Sequence, residues 1–191
     1  MVYEYFCHVG FKIEEPIAEL LFTAIMTDTG RFRFGSTTRR TLEIAGELIE
    51  AGADPRKTCD QVYFSLSPAA MRLMGKVLDG IEFVQDNKFC LLKLTRDMLE
   101  QTGAQPSEAE GLVDYTLFAR GVKAGALLRA VDDNCTKLSL RSQDGIDVAS
   151  IASRYGGGGH AAAAGCIMKL PLQEARDEIV RCFVEVYGKS N

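Results

Sequence analysis

The chain has 191 residues, 47% of them hydrophobic and 25% charged, with a net charge of −4 at neutral pH. That length suffices for one ample core or two small lobes, and the balance is that of an ordinary globular protein. The acidic net charge argues against a nonspecific nucleic-acid coat, which needs a basic surface, and leaves room for a local basic pocket.

Residues 2–10 read as the tail of a helix ending at Gly10, followed by a short connector. Glu14-Glu15-Pro16 places acids and a proline in a first helical turn. Ile17, Leu20, Leu21, Ala24 and Ile25 then recur at helical spacing, with Ala18 and Phe22 broadening the stripe toward burial on more than one side. The helix gives way at Thr27-Asp28-Thr29-Gly30. Asp28 reads either as a turn carboxylate making local hydrogen bonds or as a metal or phosphate-site acid at the mouth of the helix. Arg31, Arg33, Arg39 and Arg40 form the most basic short stretch, either a solvated helix start or arginines facing a phosphate. Ser36-Thr37-Thr38 offers caps for a helix carrying Leu42, Ile44, Ala45, Leu48 and Ile49, ending near Gly52. Two further helices, opened by Asp54-Pro55 and Ser67-Pro68, make residues 54–79 a helical connector between lobes.

After Gly80 the period changes. Residues 81–84 and 89–94, around Asp86-Asn87-Lys88, predict a β-hairpin. Residues 95–100 predict a short helix closed by Gly103, and residues 106–110 start another carrying Leu112, Val113 and Leu117. Strands are expected over 124–131 and 135–140, joined by Asp132-Asp133-Asn134, with Arg141 and Ser142 directly off the second. A short helix over 147–154 leads into four consecutive glycines, 156–159, and His160. Glycine runs make poor helix or strand interiors, whereas the alanines behind His160 are strong helix formers. The expectation is therefore a flexible turn entering a helix N-terminus, whose exposed N–H groups suit an anion. His160 adds a side-chain donor of the residue type that can change charge near neutral pH. The plainer alternative is a small-residue loop where two backbones touch. A last strand from Cys166 and an amphipathic helix over 172–186 complete an α/β lobe. Arg141 and His160 then stand at element ends, where open α/β sheets place ligands.

Six scattered cysteines (Cys7, Cys59, Cys90, Cys135, Cys166 and Cys182) include no C-x-x-C pair. Reduced, mostly buried thiols are expected, not a disulfide framework or a zinc site. No signal-peptide pattern and no run of about 18 apolar residues is present, so the expectation is a cytoplasmic protein without a membrane span.

Arg154-Tyr-Gly-Gly-Gly-Gly-His160-Ala-Ala-Ala-Ala-Gly165, preceded by Leu138-Ser-Leu-Arg141-Ser142, resembles the DHH-associated C-terminal domain of the DHH phosphoesterase superfamily. Thr27-Asp28-Thr29-Gly30-Arg-Phe-Arg-Phe34 and Ser36-Thr37-Thr38 resemble the end of that superfamily's catalytic domain. Together they resemble the branch acting on short oligoribonucleotides and 3′-phosphoadenosine 5′-phosphate, also labelled exopolyphosphatase-related. The resemblance implies an α/β fold in three parts. Residues 1–53 would be the mostly helical C-terminal part of the catalytic domain, and 54–79 a helical linker. Residues 80–191 would be a substrate-binding domain with a mixed sheet flanked by helices.

The resemblance also implies a two-metal centre, usually manganese, that activates water for attack on phosphate. Asp28 matches its last metal ligand. Gly157, Gly158, Gly159 and His160 match the element holding substrate phosphate, with Arg141 and Ser142 facing the same cleft and Arg120 a further candidate. Asp28 and His160 are the implied catalytic residues. Partners would be short RNA oligonucleotides or phosphorylated nucleotides, with no membrane, and an exposed first-lobe surface suits a homodimer. The chain departs from the family in lacking any Asp-His-His triplet; its two histidines are His8 and His160. A single carboxylate cannot hold two metals. A truncated chain with negligible hydrolysis is therefore expected. The alternative is a non-catalytic module for nucleotide phosphate or short single-stranded RNA.

Overall fold

The computed structural model describes residues 1–143 and 145–190, the side chains of 188–190 excepted. It divides into two units, Met1–Ser65 and Leu66–Asn191.

The first unit holds four helices: α1 (Val2–His8), α2 (Glu15–Asp28), α3 (Arg39–Glu50) and α4 (Pro55–Tyr63). Prolines open α2 and α4, where a missing N–H is harmless. A reciprocal Thr38–Thr41 capping box opens α3, and the Asp54 carboxylate accepts from the Arg56 and Lys57 amides at 2.8 and 3.1 Å. Ala18, Phe22 and Met26 of α2 pack with Ile44, Ala45 and Leu48 of α3. Leu20, expected in the buried stripe, is 71% exposed. Within this unit α2 packs chiefly on α3, and one packing partner covers only a narrow stripe of a helix.

The second unit begins with α5 (Pro68–Asp79), capped by Ser67. The stretch 54–79 is thus shared between the units: α4 belongs to the first, while Leu73 and Val77 of α5 enter a core of the second. Then come β1 (Glu82–Val84), β2 (Phe89–Leu94), α6 (Arg96–Thr102), β3 (Ala124–Asp132), β4 (Cys135–Ser142), α7 (Val148–Ser153), β5 (Gly158–His160), β6 (Ala163–Met168) and α8 (Leu172–Ser190). The helix expected from 106 is two 3₁₀ turns, Pro106–Ala109 and Leu112–Leu117, interrupted where Glu110 is extended and Gly111 left-handed.

The six strands form one mixed sheet in the order β1-β2-β3-β4-β6-β5, with β2 and β3 parallel and every other pair antiparallel. One face carries Leu128, Leu138, Leu140 and Met168 against α7 and α8, with Phe89 stacked on Phe183 at 4.8 Å between centroids. The other face packs Leu92, Leu94 and Leu127 against α5 and residues 104–113. Toward β4 and β6 this second cover runs out. Thr136, Leu138, Leu140 and Ser142 are buried, while Lys137, Ser139 and Arg141 alternate with them half-exposed. The period-2 geometry of a strand places those three on the uncovered face.

Candidate substrate-binding site

The glycine stretch departs most from expectation. The segment directly after His160 is not a helix. Ala163–Met168 is a strand, paired with β4 on one side and with Gly158–His160 on the other. Alanine's helical preference is under about 1 kcal/mol per residue. Two ladders, with Ala164, Cys166 and Met168 turned into the core, outweigh it. Nor do the glycines stay a free loop. The Gly156 amide donates to the Ser153 carbonyl (3.2 Å) and the Gly157 amide to that of Ala152 (3.0 Å), closing the end of α7. Those two N–H groups are not presented to an anion. Gly158–His160 forms an edge strand, and an edge strand turns the backbone groups of alternate residues outward.

Close approach explains why glycine stands here. A Cβ at Gly157 would lie 2.2 Å from the Gly165 carbonyl oxygen, and one at Gly159 2.4 Å from that of Ala163. The plainer alternative, two touching backbones, therefore holds at both positions. Gly158 has open space around its Cα hydrogens.

Register brings the charged candidates together. Arg141 of β4 and His160 of β5 are both paired with Ala163 of β6. Directly opposed residues share a face, so Arg141, Ala163 and His160 form one row across three strands. At about 4.8 Å per strand the Cα atoms of Arg141 and His160 are roughly 10 Å apart. The small Ala163 stands between the two longer side chains. His160 is exposed, and its imidazole makes no hydrogen bond or ion pair among the described residues.

Arg141 lies within β4 rather than beyond its end. Its Nε donates to Asp114 at 2.7 Å and its Nη1 to the Leu140 carbonyl at 3.0 Å. Asp114 sits on the second 3₁₀ turn, which seats on the sheet at Gly125, the β3 residue paired with Arg141. A Cβ at Gly125 would lie 2.0 Å from Thr116 Oγ1. Ser142 points the other way. It is buried, with its hydroxyl 2.5 Å from the Ile146 carbonyl and 3.1 Å from that of Ala161, so its proton is committed to holding the hairpin. Arg120 is exposed in the turn after the 3₁₀ segment.

Two hollows adjoin the row. One, of ≈ 260 Å³, is lined by Arg129, Lys137, Ser139, Arg141 and the 3₁₀ turns. The other, of ≈ 390 Å³, is lined by Lys137, Ser139, Tyr155, Gly156, Gly157 and Ile167. Burial and a hydrogen bond to Glu178 hold the Tyr155 phenol well above its ordinary range, so it stays a neutral wall. Burial, with a smaller effect of Cys182, pushes the Cys166 thiol up to about 11; it is no nucleophile at neutral pH. Lys137 and Ser139 were legible as a period-2 continuation of Arg141. Asp114 and Arg129 carry no sequence signal, because long-range pairing brings them in.

In the first unit, Asp28 is the exposed last residue of α2. Among the described residues no group of three or more His, Cys, Asp or Glu side chains could hold a metal ion. The donor set does not fit a two-metal centre. No helix among the described residues is long and apolar enough to cross a membrane, and all six cysteines are free. Cys90, Cys166 and Cys182 are buried, whereas Cys7 is exposed.

A mixed sheet ending in a glycine-edged hairpin, with an arginine and a histidine aligned across it, defines a DHH-associated type of α/β domain. The DHHA1 domain model matches residues 86–188, and the chain belongs to this family. It is 33% identical over 178 residues to the bifunctional oligoribonuclease and PAP phosphatase NrnA of Thermus thermophilus, covering 93% of this chain and 53% of that protein. The Bacillus subtilis protein of the same name is 31% identical over 168 residues, covering 86% and 52%. The solved structure of an exopolyphosphatase-related protein from Bacteroides fragilis superposes with a TM-score of 0.88 at 30% identity, covering 98% of this chain and 55% of that one. The chain spans about half the length of the curated relatives it matches.

Proposed function

We propose that this chain is the substrate-holding portion of a metal-dependent phosphoesterase acting on short oligoribonucleotides or 3′-phosphoadenosine 5′-phosphate. The observation that carries this reading is the row Arg141–Ala163–His160 on an open sheet face beside the glycine edge. Arg141 supplies a fixed cation and His160 a mobile donor. Outward backbone N–H groups among Gly158, Gly159 and His160 supply further donors to a phosphate oxygen. Gly157 and Ser142 position the hairpin instead of touching the ligand, and Arg120 contributes long-range attraction only.

Asp28 is a residual metal ligand in this reading, and manganese is the metal the family resemblance suggests. Among the described residues no cluster of further donors accompanies it, and the expectation is negligible hydrolysis by this polypeptide alone. That same deficit favours the second reading, a non-catalytic nucleotide-binding module. Free thiols suit a cytoplasmic setting.

Titration with 3′-phosphoadenosine 5′-phosphate tests the reading. Arg141→Ala and His160→Ala should each weaken binding about tenfold, the worth of one charge-assisted hydrogen bond. Adding manganese should leave phosphate release at background. Undiminished affinity in both variants would sink the assignment, and rapid release with manganese would sink its non-catalytic part.

A further inference from the structure

We propose that Asp114 is a positioning residue: it acts through Arg141, fixing the direction of that guanidinium's donors without touching the ligand itself. This rests on the reading of Arg141 and His160 as phosphate-holding residues.

The Arg141 guanidinium carries its N–H donors on one rigid plane. Two different nitrogens are tied: Nε donates to the Asp114 carboxylate at 2.7 Å and Nη1 to the Leu140 carbonyl at 3.0 Å. A planar group held at two points has its orientation set. The second proton of Nη1 and both protons of Nη2 have no partner among the described residues and remain for a phosphate. Without Asp114 the long side chain keeps a single tie. A ligand must then order it on binding, which weakens the complex.

Asp114 can do this because the core fixes its place. It lies on the 3₁₀ turn Leu112–Leu117, entered through the left-handed Gly111, and its amide bonds the Gly111 carbonyl at 3.0 Å. Leu112, Val113 and Thr116 on either side of it are buried. The Thr116 hydroxyl donates to the Val113 carbonyl at 2.6 Å. Thr116 also occupies the space that a Cβ at Gly125 would need, 2.0 Å from its Oγ1, and Gly125 is the β3 partner of Arg141. A buried seat on one strand therefore holds the carboxylate beside the arginine paired with that seat. The Asp114 side chain itself is 55% exposed. An ion pair this open adds little to folding stability, so its loss should register in binding and not in melting.

The carboxylate also works against binding, since a negative charge beside the cation repels an anion. Asparagine removes that charge and keeps an acceptor for the Nε proton, whereas alanine removes both. The test titrates the full chain with 3′-phosphoadenosine 5′-phosphate, comparing Asp114→Ala and Asp114→Asn in wild-type and Arg141→Ala backgrounds. Asp114→Ala should weaken binding about fivefold even though it removes a repelling charge. Asp114→Asn should stay within about twofold of wild type. With Arg141→Ala present, neither change should alter affinity further, as action through Arg141 requires. Without ligand, the Arg141 Nε proton should exchange with water faster in Asp114→Ala than in wild type. Thermal midpoints should agree within about 2 °C. Tighter binding by Asp114→Ala would make the residue a mere counter-charge and overturn the proposal. So would unchanged affinity or proton exchange, a loss that persists without Arg141, or a marked fall in midpoint. If Arg141→Ala weakens binding while Asp114→Ala does not, only the role of Asp114 falls. If Arg141→Ala changes nothing, or wild type does not bind, the reading of the site falls with it.

Discussion

Gly157 and Gly159 let the glycine stretch lie directly against β6, an approach that a side chain at either position would block. Gly157→Ala or Gly159→Ala places a methyl group against a backbone oxygen at 2.2 or 2.4 Å, and backbone cannot step aside as a flexible side chain can. Each should cost about 2–3 kcal/mol in urea unfolding, in the range of overpacking changes. Gly158→Ala meets nothing within 4 Å and should cost less than about 1 kcal/mol. Equal effects at the three positions would remove the close-approach explanation. Charge at this scale was partly readable. Arg141 and His160 stood out as chemically capable types, but their alignment through Ala163 depends on register, which no local pattern near either residue declares.

Among the elements, the 3₁₀ segments decide how the open face is framed. The Ser67 hydroxyl, which caps α5, also donates to the Glu108 carboxylate at 2.5 Å, and the Gln105 amide donates to it at 2.7 Å. Those bonds, the serine's foremost, hold Glu108 below its ordinary value of 4.5. A carboxyl depressed in the folded state adds stability above its unfolded pKa and loses it as pH falls through the folded one. Wild type should therefore melt higher than Glu108→Gln at pH 7. The gap should close on acidification from about pH 5 downward, as thermal melts across pH would register. A gap that persists at pH 2 would mean the carboxylate's charge is not what matters. Helix starts were legible because proline and capping residues act locally. The broken helix over 106–117 was not, since its 3₁₀ form follows from seating Thr116 over Gly125.

For the whole molecule, the two units differ in how completely they cover their apolar surface. The second wraps both faces of its sheet near β2 and β3. The first leaves Val2, Tyr5, Phe11, Phe34, Leu42 and Phe64 exposed. Apolar surface on this scale drives association. Light scattering of the chain should give a mass of at least two copies at about 100 µM, whereas Phe11→Ser with Phe64→Ser should shift it toward one. A clean monomer at every concentration would end the self-association reading.

What the sequence alone determined is the α/β class, the helix boundaries set by Pro16, Pro55 and Pro68, and the β1–β2 and β3–β4 hairpins. Each follows from periodicity, capping or turn chemistry within a few residues. Only the tertiary structure decided that the alanines after His160 make a strand, that Ser142 faces inward, and that Arg129 meets Lys137. Those outcomes depend on strand pairing between segments tens of residues apart, where ladder formation and burial override weak local preference.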